Sequence, residues 1–341
     1  MDYRVTNSMM FDRLKREVQA NRQEMTKIQE SISTGKNINR PSDDPALYKN
    51  ITDIKTQIAS FGQYKENCEF GEDWLNYSYT ATEHSFDLIS SAKDIAYKVA
   101  NDTATVGERE MSAKLIQDIR EDIVNVVNTR LNGRYIFGGE NGNNKPAIYT
   151  DGTGEELSYI NPDGRWSNNQ FIDNTGAEVP YINPNGTFSN QWQNAGVFEI
   201  GISKNNEMNI GTSMSLFMEV DVSDATSAAT TKSIFDILGN LEKVLNENDG
   251  DEIRKSLQEL DAVLDNISQE QSNIGAKIER LTSHRDFIEN MEKELDVQRS
   301  TKEDVDFIEK AVELSGYEEN YQAIITSFAK FLNQNLFDLF G

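Results

Sequence analysis

The residues most able to do chemistry in this chain are two adjacent carboxylates, Asp43 and Asp44, in the stretch NINRPSDDPALY. Paired acids can bind a divalent metal, or they can divide general acid and general base roles between them. The chain holds 57 acidic and 33 basic residues, so neighbouring acids are expected from composition and carry little weight alone. The alternative is structural, because Pro41 and Pro45 flank the pair where helices commonly end and begin.

Local backbone chemistry accounts for this stretch as a joint between two helices. Pro45 suits the first turn of the following helix, where its missing N–H costs nothing. Asp44 then takes the N-cap position, Asp43 lies near the positive end of the helix dipole, and Arg40 can pair with either acid. The sequence therefore predicts an interdomain joint formed by Arg40, Pro41, Ser42, Asp43, Asp44 and Pro45.

Other reactive side chains are few. The single cysteine, Cys68, is in phase with an apolar helical stripe, which favours a small buried residue over a nucleophile. The histidines, His84 and His284, belong to no His-Glu-x-x-His zinc helix, and the acidic loop NENDGDE lacks the ligand spacing of a calcium loop. We therefore expect no catalytic residue, no cofactor and no metal ligand.

The elements that position the joint are long helices, indicated by apolar residues at alternating spacings of three and four. The first stripe runs from Phe11 to Ile32, is interrupted by Asn21, and is followed by Gly35 at the expected helix end. Near the other end, a single helix over Asp251–Arg299 would be about 74 Å long.

A second helix start is predicted late in the chain. The tetrad STKE at Ser300–Glu303 fits a capping box and indicates that the last helix begins there. The last helix continues the apolar pattern towards the C-terminus. The two terminal stripes predict an assembly seam formed by Phe11, Leu14, Val18, Met25, Ile28, Ile32, Tyr321, Ile324, Phe328, Phe331, Leu336 and Leu339.

The middle of the chain has a different amino-acid composition. Twelve of the 21 glycines and four of the six prolines lie between Gly133 and Gly211, which argues against long helices there. The stretch YINPDGRWSN reappears 22 residues later as YINPNGTFSN, and each copy holds a tetrad suited to a tight turn. We interpret the copies as two related hairpins of a β-rich insert; a carbohydrate-binding repeat using Trp166 and Trp192 is the alternative.

These observations predict a mainly α fold with a β-rich insert: an elongated multi-helix coiled-coil bundle with a variable β domain at its distal end. Residues 1–40 and 303–341 would form a terminal coiled-coil domain, residues 41–140 and 230–302 a helical bundle domain, and residues 141–229 the outer β-rich domain. The net charge of −24 argues against binding to nucleic acid or to anionic membranes. The N-terminus lacks the features of a cleaved signal peptide, which by itself favours a cytosolic protein.

The stretch ISTGKNINRPSDDPA at Ile32–Ala46 resembles the N-terminal signature of the bacterial flagellin and hook-associated protein superfamily. Its Arg-Pro-Ser-Asp-Asp-Pro form is similar to that of the hook–filament junction branch. NTRLNGRYIFGG at Asn128–Gly139 and SGYEENYQAIITSFAKFLNQNLFDLF at the C-terminus resemble other parts of the same family. The resemblance covers about residues 1–140 and 230–341.

The resemblance implies a non-enzymatic structural subunit between a hook-associated protein and the flagellin filament. It implies as partners further copies of the chain in a ring or helical array, a neighbouring hook-associated protein, flagellin, an export chaperone and the flagellar type III export apparatus. It also moves the expected location to the cell exterior, reached without a cleaved signal peptide. Assembly would proceed by coupled folding, with Asp2–Ser33 and Val305–Gly341 poorly ordered in the monomer.

Three rival interpretations remain open on the sequence. Flagellin itself, the filament subunit, shares the family features. A membrane-acting amphipathic helix is suggested by IITSFAKFLNQNLFDLF, although Lys330 is its only basic residue between Tyr321 and Gly341. An enzymatic insert, such as the metalloprotease carried by some flagellins, would require histidines that residues 141–229 do not contain.

Overall fold

The computed structural model describes residues 7–100, 104–139, 142–143, 145–147, 149–150, 153, 155–157, 163, 165–167, 170–175, 177, 179, 183, 187–188, 197–221, 231–247 and 249–340, the last ten of these without their side chains. The helices are α1 (Asn7–Thr34), α2 (Pro45–Val99), α3 (Val106–Val127), α4 (Ser215–Met218), α5 (Ile234–Glu247), α6 (Gly250–Glu303) and α7 (Phe307–Phe340). The strands are β1 (Arg130–Leu131), β2 (Arg134–Tyr135), β3 (Tyr149–Thr150), β4 (Arg165–Ser167), β5 (Gln170–Ile172), β6 (Thr187–Phe188), β7 (Glu199–Ser203), β8 (Asn206–Asn209), β9 (Val220–Asp221) and β10 (Thr231–Lys232).

Two compact units make up the chain. The terminal unit comprises Met1–Gln63 and Glu289–Gly341, and the central unit comprises Tyr64–Ile288. The mainly α fold with a β-rich insert is confirmed. The finer division into three domains, with boundaries near residues 40, 140, 230 and 302, stays a prediction.

The terminal unit is built from α1, the first part of α2, the end of α6 and α7. Gly35 follows α1 with a positive φ of 71°, which confirms the helix end predicted there. Apolar side chains from α1, α2, α6 and the loop after α1 supply the interior of this unit. Its buried apolar side chains are Ile28, Ile38, Ile51, Ile54 and Leu295.

The central unit contains four long helical segments from α2, α3, α5 and α6. Within it α2 and α6 are antiparallel, because Glu72 contacts Arg285 while Lys93 contacts Asp261. α3 packs against α5. The fully buried core side chains of this unit include Trp74, Leu75, Ile89, Ile116, Ile123, Phe137, Phe217, Phe235, Leu238, Leu241, Leu260, Ile267 and Leu281.

The two copies of the internal repeat pair differently. In the first copy β4, which follows the predicted turn tetrad, forms an antiparallel hairpin with the adjacent β5. In the second copy β6 pairs with β3, whose partner residues lie 37 or more positions earlier in the chain. Residues 189–196, where a hairpin partner following β6 would lie, are outside the described residues, so the hairpin expected for the second copy stays a prediction. Trp192 lies outside the described residues, as do the side chains of β4.

Two further hairpins lie close to the helices of the central unit. β1 and β2 are joined by Asn132 and Gly133, both with positive φ, which is the Asn-Gly turn that favours a two-residue hairpin. β7 and β8 pair antiparallel, and the amide of Asn67 on α2 donates to the carbonyl oxygen of Gly201 at 2.7 Å. The β7–β8 hairpin is thus fastened directly to α2.

Candidate assembly surface and helix joint

The two ends of the described chain form one antiparallel helix pair. α1 packs against α7. The rings of Phe11 and Phe328 lie 5.3 Å apart, while a Cβ built on Gly35 would lie 3.9 Å from Phe307. The beginning of α1 therefore meets the distal half of α7, and the end of α1 meets the first turn of α7.

Two of the predicted seam residues, Phe11 and Phe328, contact each other across the α1–α7 pair. Ile28 is buried, and Phe11 is 42% exposed. The half-buried members are Leu14, Val18, Met25, Ile32, Tyr321, Ile324 and Phe328. The side chains of Phe331, Leu336 and Leu339 lie outside the described part of the chain. Because most described members keep contact with solvent, the seam retains apolar surface that a single chain does not cover.

A second apolar set on α7 is open to solvent. Phe307, Ile308 and Val312 are 55%, 79% and 70% exposed. On the same helix Leu314 and Tyr317 are half-buried, so Ile308 and Val312 are more exposed than these apolar neighbours. Phe307 nevertheless approaches Gly35 at the end of α1, whereas Ile308 and Val312 remain largely open to solvent.

The joint between α1 and α2 is held by the two adjacent acids. Oδ1 of Asp44 accepts from the backbone N–H groups of Ala46 and Leu47 at 3.0 and 2.9 Å, so Asp44 is the N-cap of α2 and Pro45 is its first residue. Oδ2 of Asp43 accepts from the backbone N–H of Arg40 at 2.9 Å. Both carboxylates are thus used by the backbone, as the structural interpretation of this stretch predicts.

The structure corrects the partner predicted for Arg40. Nη2 of Arg40 lies 3.1 and 3.2 Å from the two carboxylate oxygens of Glu30 on α1, not beside Asp43 or Asp44. The backbone N–H of Asp43 donates to the carbonyl oxygen of Arg40 at 3.0 Å, which closes a turn with Pro41 and Ser42 at its centre. The guanidinium is therefore directed back to the preceding helix. This pair is exposed and is expected to contribute little to stability.

Asp44→Ala is expected to lower the stability of the terminal unit by about 1 kcal/mol, because it removes the acceptor that caps α2. Amide exchange at Ala46, Leu47 and Tyr48 measures the effect locally. Asp53→Ala, on the exposed side of the same helix, is the matched control and should change exchange by much less. Equal effects of the two variants would contradict the capping role.

The break between α6 and α7 lies later than predicted. Ser300 is inside α6, which continues to Glu303, so the expected helix start at Ser300–Glu303 is wrong. Oδ1 of Asp306 accepts from the N–H groups of Ile308 and Glu309 at 2.9 and 3.1 Å and is the N-cap of α7. The signal was present, since Asp306 is followed three residues later by Glu309. The chain thus holds two possible N-caps six residues apart, Ser300 and Asp306, and the structure uses the second.

Backbone hydrogen bonds join this break to the loop that follows α1. The N–H of Asn37 donates to the carbonyl oxygen of Glu303 at 2.7 Å, and that of Val305 donates to the carbonyl oxygen of Gly35 at 3.0 Å. Lys36 and Asp304 form the antiparallel bridge between these two bonds. The residues that follow α1 and α6 are thus paired where the end of α1 meets the start of α7.

A carboxylate clamp lies at the same place, and sequence reasoning missed it. Oε1 of Glu303 lies 2.7 Å from Nζ of Lys36 and 2.7 Å from Nζ of Lys55 on α2, while only 4% of the Glu303 side chain is exposed. Burial opposes ionisation of Glu303, but the hydrogen bonds from both lysines outweigh it and lower its pKa. The hydrogen bond to Glu303 raises the pKa of Lys36. No local signal marks this cluster, since Lys55 and Glu303 are 248 residues apart.

The reactive side chains singled out from the sequence do not converge on one place. Cys68 is buried, as predicted, and burial raises the pKa of its thiol to about 11. Nε2 of His284 lies 2.8 Å from the carbonyl oxygen of Ile202, a contact that holds β7 to α6, while His84 is exposed on α2. Within the described ranges no three His, Cys, Asp or Glu side chains are grouped so that they could hold a metal ion.

None of the helices in the described part of the chain combines the length and apolar character that a membrane span requires.

Comparisons with known proteins place both ends of the chain in one family. The family model of the bacterial flagellin N-terminal helical region matches residues 5–142, and that of the bacterial flagellin C-terminal helical region matches residues 257–340. Flagellar hook-associated protein 3 of Salmonella typhimurium and its namesake in Escherichia coli are each 28% identical over 137 residues. That match covers 40% of this chain and 43% of the length of each relative.

Solved structures share the fold at lower identity. A putative flagellar hook-associated protein from Vibrio parahaemolyticus has a TM-score of 0.58 at 15% identity, over 77% of this chain and 100% of that chain. Flagellar hook-associated protein 3 of Legionella pneumophila has a TM-score of 0.54 at 12% identity, over 74% and 98%. The two flagellin helical regions together cover α1 to β2 and most of α6 and α7, so the chain belongs to the bacterial flagellin and hook-associated protein superfamily.

Proposed function

We propose that this chain is a structural subunit of the bacterial flagellum that joins a hook-associated protein to the flagellin filament. The observation that carries the proposal is the antiparallel α1–α7 pair, because it combines both ends of the chain in one surface with partly uncovered apolar side chains. The matched curated relatives are named flagellar hook-associated protein 3, which favours the junction over the filament itself.

The mechanism we propose is assembly through the terminal helices. The half-buried side chains of the seam and the exposed set at Phe307, Ile308 and Val312 would be covered by neighbouring subunits in a ring or helical array. Each Å² of apolar surface covered contributes roughly 25 cal/mol before the cost of ordering the helices. The joint residues Arg40 to Pro45 and the Glu303 clamp would set the direction of the α1–α7 pair relative to the start of α2 and the end of α6.

The remaining parts of the proposal concern location and partners. The subunit would act outside the cell without catalysis, metal or cofactor, after export through the flagellar type III apparatus with the help of an export chaperone. Its neighbours would be further copies of itself, another hook-associated protein and flagellin. Peptides of the chain recovered from sheared flagella with an uncleaved N-terminus would support this location. Recovery from the cytosol alone would contradict it.

Deletion and complementation test the junction role directly. We expect a strain that lacks the gene to release unpolymerised flagellin into the medium and to lose motility, since the hook would have no surface on which flagellin assembles. The full-length chain should restore both. Growth of normal filaments without the gene would refute the proposal. Long filaments formed by the purified chain alone would instead identify it as the filament subunit.

A further inference from the structure

One polar side chain interrupts the apolar face by which α1 contacts α7. Asn21 is 8% exposed, and its Oδ1 atom is shielded from solvent and has no hydrogen-bond donor. Its neighbours along the seam, Val18 and Met25, are apolar. A buried acceptor without a donor lowers the equilibrium constant for pairing by about tenfold or more. This layer therefore lowers the stability of the α1–α7 contact.

The position of Asn21 in the pair follows from the two contacts that fix its direction. Asn21 lies between Phe11, which meets Phe328, and Gly35, which meets Phe307. Equal rise along both helices places Asn21 opposite the stretch Tyr317–Tyr321 of α7. In the register adopted by a single chain, this stretch supplies no donor to Oδ1. The pairing within one chain is consequently not the pairing that satisfies Asn21.

Charge and exposed surface indicate what else could pair with α1. α1 carries five basic and four acidic residues, whereas α7 carries two basic and five acidic residues. Apolar side chains outside the α1–α7 contact also remain open, with Met9 63% and Ile308 79% exposed. The α7 helix of another copy of this chain therefore complements α1 in charge and offers apolar surface as well.

We propose that Asn21 is a partner-setting residue, left without a donor inside one chain and satisfied by a polar group on the terminal helices of a second copy. A polar residue in an apolar helix seam lowers stability in general and selects the register that satisfies it. Asn21 thus keeps the intrachain α1–α7 pair exchangeable and rejects assembled registers in which its amide faces only apolar side chains. The inference rests on the proposed assembly of copies through their terminal helices.

The test compares Asn21→Leu with Gln23→Leu in the purified full-length chain. Gln23 is exposed on the same helix, so its variant adds an apolar side chain without altering the α1–α7 layer. In dilute monomer, Asn21→Leu should slow amide exchange in α1 by about tenfold, since the unsatisfied acceptor is gone. At raised concentration, sedimentation should show self-association of Asn21→Leu weakened by about tenfold relative to the wild type. Gln23→Leu should change neither quantity by as much as threefold.

A more stable α1 in the monomer together with weaker self-association would distinguish a partner-setting residue from one that only packs. Unchanged exchange in Asn21→Leu, or self-association as strong as that of the wild type, would overturn the proposal. So would a wild-type chain that does not self-associate at any concentration tested. Because both measurements use the purified chain, they are independent of complementation. Failure of the wild-type gene to restore motility would refute the junction role without deciding the role of Asn21.

Discussion

Phe328→Asp is expected to abolish assembly and motility while the central unit stays folded. Phe328 is half-buried on α7 and its ring lies 5.3 Å from that of Phe11. The substitution removes aromatic contact and places a carboxylate in the seam, which together should cost the α1–α7 pair about 3 kcal/mol. Neighbouring copies that use the same seam would lose their contact as well. Motility of the complemented strain and thermal unfolding of the purified chain are the two measurements.

Ala323→Asp is the matched control for this prediction. Ala323 is exposed on the same helix, and the change from Ala to Asp costs more helix propensity than the change from Phe to Asp. A strain that carries Ala323→Asp should therefore keep most of its motility if the seam, and not helix propensity, carries assembly. Loss of motility in both variants to the same degree would contradict the assignment of Phe328 to the seam.

Glu303→Ala is expected to destabilise the contact between the residues that follow α1 and α6 by about 3 kcal/mol. The substitution removes two hydrogen bonds between charged groups at a buried acceptor. The backbone pairing of Asn37 with Glu303 and of Val305 with Gly35 would then open more often. Faster amide exchange at Asn37 and Val305 measures this directly. Glu294→Ala, at an exposed position of the same helix, is the control and should leave exchange at both amides nearly unchanged.

The pH dependence of the clamp follows from the directions of its pKa shifts. The pKa of Glu303 is lowered from 4.5, so its contribution to stability is complete above that value and is lost as pH falls through the folded pKa. The pKa of Lys36 is raised from 10.5, so its contribution is complete below that value and is lost as pH rises through the folded pKa. Protection at Asn37 and Val305 should stay level between about pH 5 and pH 10 once corrected for intrinsic exchange. In Glu303→Ala, protection at these two amides should no longer fall further at acid pH. If it still falls, the clamp is not the cause of the acid-side loss.

Short stretches of the sequence determine much of this fold. The apolar periodicity predicts one helix over Asp251–Arg299, and α6 is a single helix that contains this range. Pro45 and Asp44 determine the start of α2 because capping involves groups within three residues of each other. The density of glycine and proline after residue 132 likewise predicts a region of short strands and turns. In each case the deciding interactions are between near neighbours in sequence.

Other features depend on which elements meet. Glu30 is the partner of Arg40 although two acids lie closer in sequence, and β6 pairs with β3, which lies 37 or more residues earlier in the chain. The residues that determined helices, caps and turns could be recognised because the backbone groups they satisfy are local. The Glu303 clamp could not, because long-range packing alone brings Lys36, Lys55 and a carboxylate 248 residues from Lys55 within hydrogen-bond distance.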